Sequence, residues 1–556
     1  LKKSDNIILI GYRGTGKSVV AEKLQEITGK KTISIDQEIE KKYGTIPKIV
    51  QHSGWEKFRE IEMEILRAIE ITDGIIDCGG GIIETPENID ILKSKGKIFW
   101  LKASVWTIQQ RLTGETNRPS LSGEQTFLQE VETILRRRNP IYRQVANYEI
   151  ETEARNVEEI AGEILNIIKP KTKICIPIVE KNIDDAKRAI LSAGAKADLI
   201  ELRVDYLEKV DERAFEELLK SAAKPLIITC RLESQGGTGR MTAENRQKLL
   251  AIATKKNVDF IDLEFDSDTE IFDNKKTKII FSYHDFQKTP EFSEIQSLIQ
   301  QMRSRGEIIK YIPTANSIND NFRIFKLLQE NKTIISFCMG LKGQISRVLA
   351  GKYGSFLTFA AESLDRQSAS GQILYDELVN LYNFHTVDTT TKVYGLLGQF
   401  AEDSKSKYMH NPAFQKNGVN ALFLPFKIET EDELAEFMSN FREYNFAGAA
   451  VTIPYKETII PFLNRLDDTA QAIGAVNTIK KVGDQLIGYN TDCIGAIQAL
   501  REKIDLRHKQ VLVIGAGGAA RAIVYGLKQE LAEVTIANRT IQKAEKLAAE
   551  FSAKLL

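Results

Sequence analysis

Asn6-Ile7-Ile8-Leu9-Ile10-Gly11-Tyr12-Arg13-Gly14-Thr15-Gly16-Lys17-Ser18 decides the fold of the first part of this chain. Asn6–Ile10 reads as a buried strand, and Val19–Thr28 behind the motif has helical patterning. GxxxxGK[ST] therefore stands in the strand–loop–helix setting that a P-loop requires. Gly11, Gly14 and Gly16 let backbone N–H groups close around phosphate, Lys17 reaches the outer phosphates, and the Ser18 hydroxyl can ligate Mg²⁺. The bland alternative is a chance glycine-rich turn, and the flanking strand and helix argue against it. A P-loop points to a nucleotide such as ATP and leaves the second substrate open.

The whole chain has 556 residues, too many for one core and suited to roughly three or four domains. It is 42% hydrophobic and 27% charged, with Lys+Arg and Asp+Glu balanced at 76 each. Nucleic acid and anionic membranes call for a basic excess, so neither is expected as the main partner. No apolar run is long enough to span a bilayer, and no signal-peptide pattern opens the chain. Five scattered cysteines, in no metal-ligand pairs, suit free thiols in a reducing cytoplasm. The first residue is Leu1, and the expectation is that both ends are cut from something longer.

Three blocks separate by pattern. The first runs to Ile168, where the helical Val157–Ile168 meets the proline- and lysine-containing stretch Lys169–Lys173. The second alternates strands (Lys173–Val179, Leu199–Val204, Pro225–Cys230, Phe260–Glu264, Lys278–Ser282, Glu307–Ile312, Thr333–Met339) with helices such as Glu212–Ala222 and Asn245–Ala253. That alternation predicts a closed (β/α)8 barrel. Lys310 interrupts the apolar strand Glu307–Ile312. A strand lysine is most often an exposed-face residue. Inside a barrel, a desolvated lysine loses its proton more readily and can attack a ketone. His284 ends another strand, where barrels build their active sites, and is a general-base candidate among only five histidines.

The third block begins near Lys392. Gln510–Ile514 reads as a strand, Gly515-Ala516-Gly517-Gly518-Ala519-Ala520 opens a helix, and Glu533–Ala537 is the next strand. This is a dinucleotide fingerprint in context. Asn538-Arg539-Thr540 follows where an NAD site would carry an acid, and an arginine there favours the 2′-phosphate of NADP. Only strand–helix–strand–helix is expected before Leu556, which is less than one mononucleotide-binding half and makes reductase activity of this chain doubtful.

The first block resembles shikimate kinase through Asp36–Glu40, Phe58-Arg59-Glu60-Ile61-Glu62, Gly79-Gly80-Gly81, Asn117-Arg118-Pro119 and Arg138–Tyr142. The resemblance implies that Asp36 accepts from shikimate hydroxyls and that Arg59 and Arg138 hold its carboxylate. It implies that Gly79, Gly80 and Gly81 present amides to the ring and that Arg118 acts from a lid. Guanidinium forks suit a planar carboxylate and developing phosphoryl charge. The family's Asp-x-Asp is Ser34-Ile35-Asp36 here, and Asp77 is the expected electrostatic substitute.

The second block resembles type I dehydroquinase through Glu201–Asp205, Thr229-Cys230-Arg231, His284, Lys310, Met339-Gly340, Ser346-Arg347 and Ser368–Gln372. The resemblance implies that Lys310 forms an imine with 3-dehydroquinate while His284 moves the proton. Arg347, Ser368 and Gln372 would bind the substrate, helped by Glu201, Arg203 and Arg231. The family's Glu-Gly-Gly is Gln235-Gly236-Gly237 here, which implies a shifted pH profile.

The third block resembles shikimate dehydrogenase through Ser404 and Ser406, Val451–Lys456, Gly474–Thr478 and Gly488–Asp492. The resemblance implies Lys456 and Asp492 as the acid–base pair, with Ser404, Ser406, Thr452 and Asn477 on the substrate. Asp403 and Lys407 replace the neighbours usual in the family's Ser-x-Ser loop.

The expected architecture is an α/β multidomain chain. A P-loop kinase fold occupies 1–168, a (β/α)8 barrel 172–386, an α/β substrate domain 390–493, and a partial Rossmann domain 494–556. Expected cofactors are ATP, Mg²⁺ and NADPH, and expected partners are small-molecule substrates. Homodimerisation, or fusion to upstream shikimate-pathway domains as in the pentafunctional arom family, is a further expectation. In the alternative reading the departures at Ser34, Gln235, Asp403 and Lys407 mark modules turned to scaffolding, with only the dehydratase active.

Overall fold

A computed structural model describes residues 6–112, 127–168, 171–265, 276–306, 308–331 and 333–556. The chain divides into two compact units, Leu1–Lys169 and Pro170–Leu556. Neither the short polar stretch near 388–391 nor the start of the nucleotide fingerprint separates a further unit.

Among the described residues the first unit has five parallel strands, β1 (Asn6–Ile10), β2 (Thr32–Ser34), β3 (Ile75–Asp77), β4 (Gly96–Lys102) and β5 (Tyr148–Glu151), in the order β2-β3-β1-β4-β5. The central β1 is buried at every position because helices cover both faces of the sheet. Ile8 and Ile10 enter one core cluster and Ile7 and Leu9 the other, as period-two alternation requires. Ser34 registers against Asp77 across β2 and β3.

The second unit begins with eight parallel barrel strands. They are β6 (Lys173–Ile178), β7 (Leu199–Arg203), β8 (Leu226–Thr229), β9 (Phe260–Glu264), β10 (Lys278–Asp285), β11 (Ile308–Pro313), β12 (Ile334–Ser336) and β13 (Leu357–Ala361). They pair consecutively from β12 back to β6 and then to β13. The Phe356 N–H donates to the Ile334 carbonyl at 2.7 Å beside the β12–β13 seam. β10 is longer than its apolar run suggests, so His284 sits inside the strand, in register with Ile312. β12 is shorter, because the chain beyond Ser336 leaves the ladder and returns only as a bridge between Thr314 and Met339. A short strand β14 (Ile373–Leu374) pairs with β13.

Downstream lies a six-stranded sheet of β15 (Lys392–Gly398), β16 (Ala421–Lys427), β17 (Gly448–Val451), β18 (Arg465–Leu466), β19 (Thr478–Val482) and β20 (Gln485–Tyr489). Its helix Glu431–Glu443 packs on the barrel helix Asp320–Glu330 through one continuous apolar cluster. Phe322 lies 5.1 Å from Tyr444, 5.7 Å from Phe446 and 5.9 Å from Phe437 between ring centroids. Glu433 accepts from the Ile318 N–H and the Ser317 hydroxyl at 3.0 and 2.7 Å. This shared core is why the barrel and the following sheet form one unit.

The last sheet holds β21 (Gln510–Ile514), β22 (Glu533–Ala537) and β23 (Lys554–Leu555), all parallel. The expectation of only two strands is corrected: a two-residue third strand has formed beside β22, because the chain after helix Ile541–Phe551 returns in register with Thr535 and Ile536.

Candidate active sites

The P-loop glycines Gly11, Gly14 and Gly16 have φ of 144°, 78° and 92°, values at which a side chain would be strained. Gly16 caps helix Lys17–Thr28 without any side-chain hydrogen bond, which leaves the first-turn N–H groups directed at the loop. Lys17 is buried and donates to the Tyr12 carbonyl at 3.1 Å. Ser18 donates to Asp77 Oδ2 at 2.7 Å, so the residue aligned with Ser34 is already engaged with the hydroxyl next to the phosphate cradle. Burial raises the Asp77 pKa, against the pull of Lys17 and Ser18. This donor set fits a nucleotide phosphate and its metal ion.

Around that cradle, Arg59, Arg138, Asp36 and the glycine triplet converge. Gly79 lies against Asp36 and Glu62, and Gly81 against the Arg59 guanidinium. Gly80 turns its carbonyl inward to accept from Arg138 at 3.2 Å and from Tyr142. Both arginines also carry internal carboxylates. Arg59 pairs with Glu62 at 2.7 Å and Glu84 at 3.1 Å, and Arg138 with Glu84 at 2.7 Å. Burial, opposed by Arg59, pushes Glu62 up to about 7. Sequence alone gives Glu62, Glu84 and Tyr142 no role, since nothing in a lone side chain announces its partner. Arg118, with Asn117 and Pro119, lies outside the described residues.

The barrel gathers its candidates in one cavity of about 70 Å³, lined by Glu201, Arg203, Arg231, Gln235, His284, Lys310, Arg347, Ser368 and Gln372 among others. Lys310 is buried, in the desolvated position expected of it, but its surroundings are not purely apolar. Its Nζ lies 2.9 Å from Asp262 Oδ2 and 3.4 Å from Glu201 Oε1, because parallel strands bring their inward side chains into shared layers. Asp262 in turn meets Arg231 at 2.8 Å and accepts from Ser282 at 2.6 Å. Despite its burial, Asp262 is held below the ordinary carboxylate range by Arg231 and Lys310. Sequence reasoning missed Asp262; its signal was an acid two residues before Glu264 in a strand that reads as wholly buried.

The three arginines differ. Arg203 is spent on a bidentate pair with Asp205 at 2.8 and 2.9 Å, and Arg231 on Asp262, Glu264 and Ser282. Arg347 is fully buried over the Phe337 ring, with Nε and Nη2 lacking hydrogen-bond partners among the described residues. Burial alone lowers it to about 10. A buried guanidinium without an acid leaves its desolvation uncompensated until an anion enters. Ser368 gives its N–H to Gln372 Oε1 at 2.9 Å, so the tail motif is self-braced. His284 is held well below 6.5 by burial, and further by the Arg231 and Lys310 cations.

In the third block Lys456 Nζ and Asp492 Oδ2 are 2.5 Å apart, and Asn477 donates to the other Asp492 oxygen at 2.7 Å. Ser404 and Ser406 hydroxyls are 2.9 Å apart. Thr452 follows β17, its N–H bonded to the Leu397 carbonyl at 2.9 Å. Gly518 opens helix Gly518–Gln529 against Lys456, and a Cβ there would stand 2.7 Å from the lysine Cβ. Gly515 has φ 126°, and Gly517 caps the helix without a side-chain bond. Asn538 donates to the Thr540 carbonyl at 2.8 Å, and Arg539 is exposed beside it. These residues fit a dinucleotide phosphate. Lys407, one of the departures, pairs with Glu377 of the barrel tail at 2.9 Å, which explains its charge.

Three constellations on three α/β architectures define a multi-site metabolic enzyme. Family models match as shikimate kinase over 13–169, type I 3-dehydroquinase over 174–389, the shikimate dehydrogenase substrate-binding domain over 396–479 and shikimate/quinate 5-dehydrogenase over 498–556. The chain is 35% identical over 421 residues to a chloroplastic bifunctional 3-dehydroquinate dehydratase/shikimate dehydrogenase of Arabidopsis thaliana, covering 70% of this chain and 69% of that protein. It is 29% identical over 591 residues to a pentafunctional AROM polypeptide of Komagataella phaffii, covering 98% of this chain and 37% of that one. Among solved structures, the dehydroquinate dehydratase and shikimate dehydrogenase of S. pombe AroM is 28% identical, covering 70% of this chain and 79% of that one, with a TM-score of 0.35. The chain belongs to the shikimate-pathway fusion family that joins type I 3-dehydroquinate dehydratase to shikimate dehydrogenase, here with a shikimate kinase domain ahead of them. The chain spans a little over a third of the AROM polypeptides it matches. Among the described residues, no helix is long and apolar enough to cross a membrane.

Proposed function

We propose that this chain dehydrates 3-dehydroquinate to 3-dehydroshikimate, reduces that product to shikimate and phosphorylates shikimate to shikimate 3-phosphate. The observation that carries the reading is the barrel cavity, lined together by Lys310, His284 and Arg347, the last with no acid partner among the described residues. An enzyme for an anionic keto-acid needs an amine, a base and a carboxylate anchor in one pocket, and few other substrates need all three.

In this mechanism Lys310 first yields its extra proton to Glu201, the carboxylate 3.4 Å away, and the neutral amine then adds to the substrate ketone, whose oxygen leaves as water to give an imine. The imine withdraws electrons as neutral His284 removes the adjacent proton, and His284 then returns that proton to the departing hydroxyl. Water releases the product and restores the amine. Arg347 holds the substrate carboxylate, with Ser368, Gln372, Glu201, Arg203 and Arg231 supporting hydroxyls and neighbouring side chains.

ATP supplies the phosphoryl group and NADPH the hydride in the flanking sites. Asp36, Arg59, Arg138 and the Gly79–Gly81 amides orient shikimate, and Arg118 stabilises transferring charge. Gly11–Lys17 cradle phosphate, and Ser18 with Asp77 orders the metal ion. Lys456 and Asp492 move the alcohol proton while Ser404, Ser406, Thr452 and Asn477 hold the ring and carboxylate. Gly515, Gly517 and Gly518 meet the dinucleotide phosphates, and Asn538, Arg539 and Thr540 select NADP. The domain limits that fit are 1–168, 172–386, 390–493 and 494–556. A cytoplasmic setting suits five buried, unpaired cysteines.

The test is borohydride reduction in the presence of 3-dehydroquinate, followed by mass spectrometry of the peptide carrying Lys310. A substrate-dependent adduct on Lys310, lost in Lys310→Met, is expected. A folded chain that gives no adduct would return the barrel to the scaffold reading.

A further inference from the structure

The two arginines that the kinase reading assigns to the substrate carboxylate do not wait with open forks. Arg59 Nη2 and Arg138 Nη2 converge on a single oxygen, Glu84 Oε2, at 3.1 and 2.7 Å. The other Glu84 oxygen pairs with Arg137. We propose that Glu84 is an internal competitor for the substrate carboxylate, sitting between Arg59 and Arg138 in the free kinase and turning out onto Arg137 when a hydroxy-carboxylic acid is seated. The inference rests on the kinase reading above.

Position separates Glu84 from the other acid on Arg59. Glu62 is buried, its side chain only 1% exposed, and fixed on Arg59 Nη1 at 2.7 Å, so it shapes the guanidinium without leaving. Glu84 ends the short turn Ile82–Glu84 right after the glycine triplet, and its side chain is 23% exposed. Arg137 is 65% exposed, and Arg138 beside it only 5%. A rotation of Glu84 about its side-chain bonds therefore exchanges two inner arginines for an outer one, with no backbone change required. Burial alone would raise the Glu84 pKa, but Arg138, Arg59 and Arg137 outweigh it and hold the group below the ordinary range. The competitor thus stays charged across the working pH range.

Exchange of one carboxylate for another also sets selectivity. A carboxylate ligand recovers the two charge-assisted contacts that Glu84 gives up, whereas an uncharged analogue does not. Apparent affinity for the acid is lowered by whatever free energy is needed to displace Glu84.

Glu84→Gln and the shorter Glu84→Asp in the full chain test this, with steady-state kinetics in both substrates and ATP affinity as the check on folding. Shikimate KM is expected to fall roughly three- to ten-fold in Glu84→Gln, with a smaller fall in Glu84→Asp, while kcat changes far less and ATP affinity holds. A raised shikimate KM would mean that Glu84 braces the arginines, and an unchanged one that it leaves at no cost; either overturns the proposal. Wild-type chain that binds ATP yet never phosphorylates shikimate sinks the kinase reading itself, and this inference with it.

Discussion

Gln235 Oε1 accepts the main-chain N–H of His284 at 2.8 Å and stands 3.4 Å from its Nδ1. The loop after β8 thus fixes the backbone of the proposed base with a neutral amide. A carboxylate in the same place would face the imidazole with a negative charge. Gln235→Glu is expected to raise the His284 pKa and move the acid limb of the dehydratase pH–rate profile to higher pH. Superimposable profiles for the two proteins would show that residue 235 does not tune the base.

In the native chain that limb is expected below pH 6.5, since burial and the Arg231 and Lys310 cations favour neutral imidazole. The same depression links to stability. The unfolded chain takes up a proton near 6.5 and the folded one only at lower pH, so His284 contributes no pH dependence above 6.5. Below it, stability is lost as pH falls toward the folded pKa. Urea titrations of wild type and His284→Ala between pH 5 and 7 check this, the variant showing the shallower loss.

Asp262 joins Lys310 to Arg231 inside the barrel. Asp262→Asn leaves Lys310 with Glu201 alone and Arg231 with Glu264 alone, both at 3.4 Å, and is expected to cost about 3 kcal/mol of stability, read as a drop in the denaturation midpoint. Dehydratase kcat should fall with it, even at temperatures where the variant stays folded.

Asp77 and Ser18 are hydrogen-bonded at 2.7 Å, and Asp77 registers against Ser34 where the kinase family carries a second acid. Asp77→Asn is expected to raise the Mg²⁺ concentration for half-maximal kinase rate several-fold, with shikimate KM little altered. An unaltered Mg²⁺ titration would remove Asp77 from the metal's surroundings.

Phe322 on the barrel and Tyr444, at the end of helix Glu431–Glu443, share one core, and the Tyr444 hydroxyl donates to the Phe322 carbonyl at 2.9 Å. Phe322→Ala should cost about 3–5 kcal/mol. Because the cluster is continuous, unit 170–556 is expected to unfold in a single calorimetric transition in wild type. Two separated transitions in wild type would mean that the shared core does not couple the domains.

Local patterns carried the fold. β1, β9, β21, β22 and helix Val157–Ile168 have the limits that their apolar runs suggest, and the P-loop and dinucleotide turns were legible because glycine at a forced φ leaves a mark in sequence. Lys310 and His284 were legible because such residues are costly inside apolar strands. Strand ends at β10 and β12 were not, since their limits depend on which neighbour continues the ladder. The order of residues was enough to give the set of architectures and the residue types at each site. Folding in three dimensions settled which charges meet: Lys310 on Asp262, Glu84 between Arg59 and Arg138, Lys407 on Glu377, and Arg347 with no acid partner among the described residues. An ion pair is set by distance and burial across strands far apart in the chain, and neither quantity is written in the order of residues.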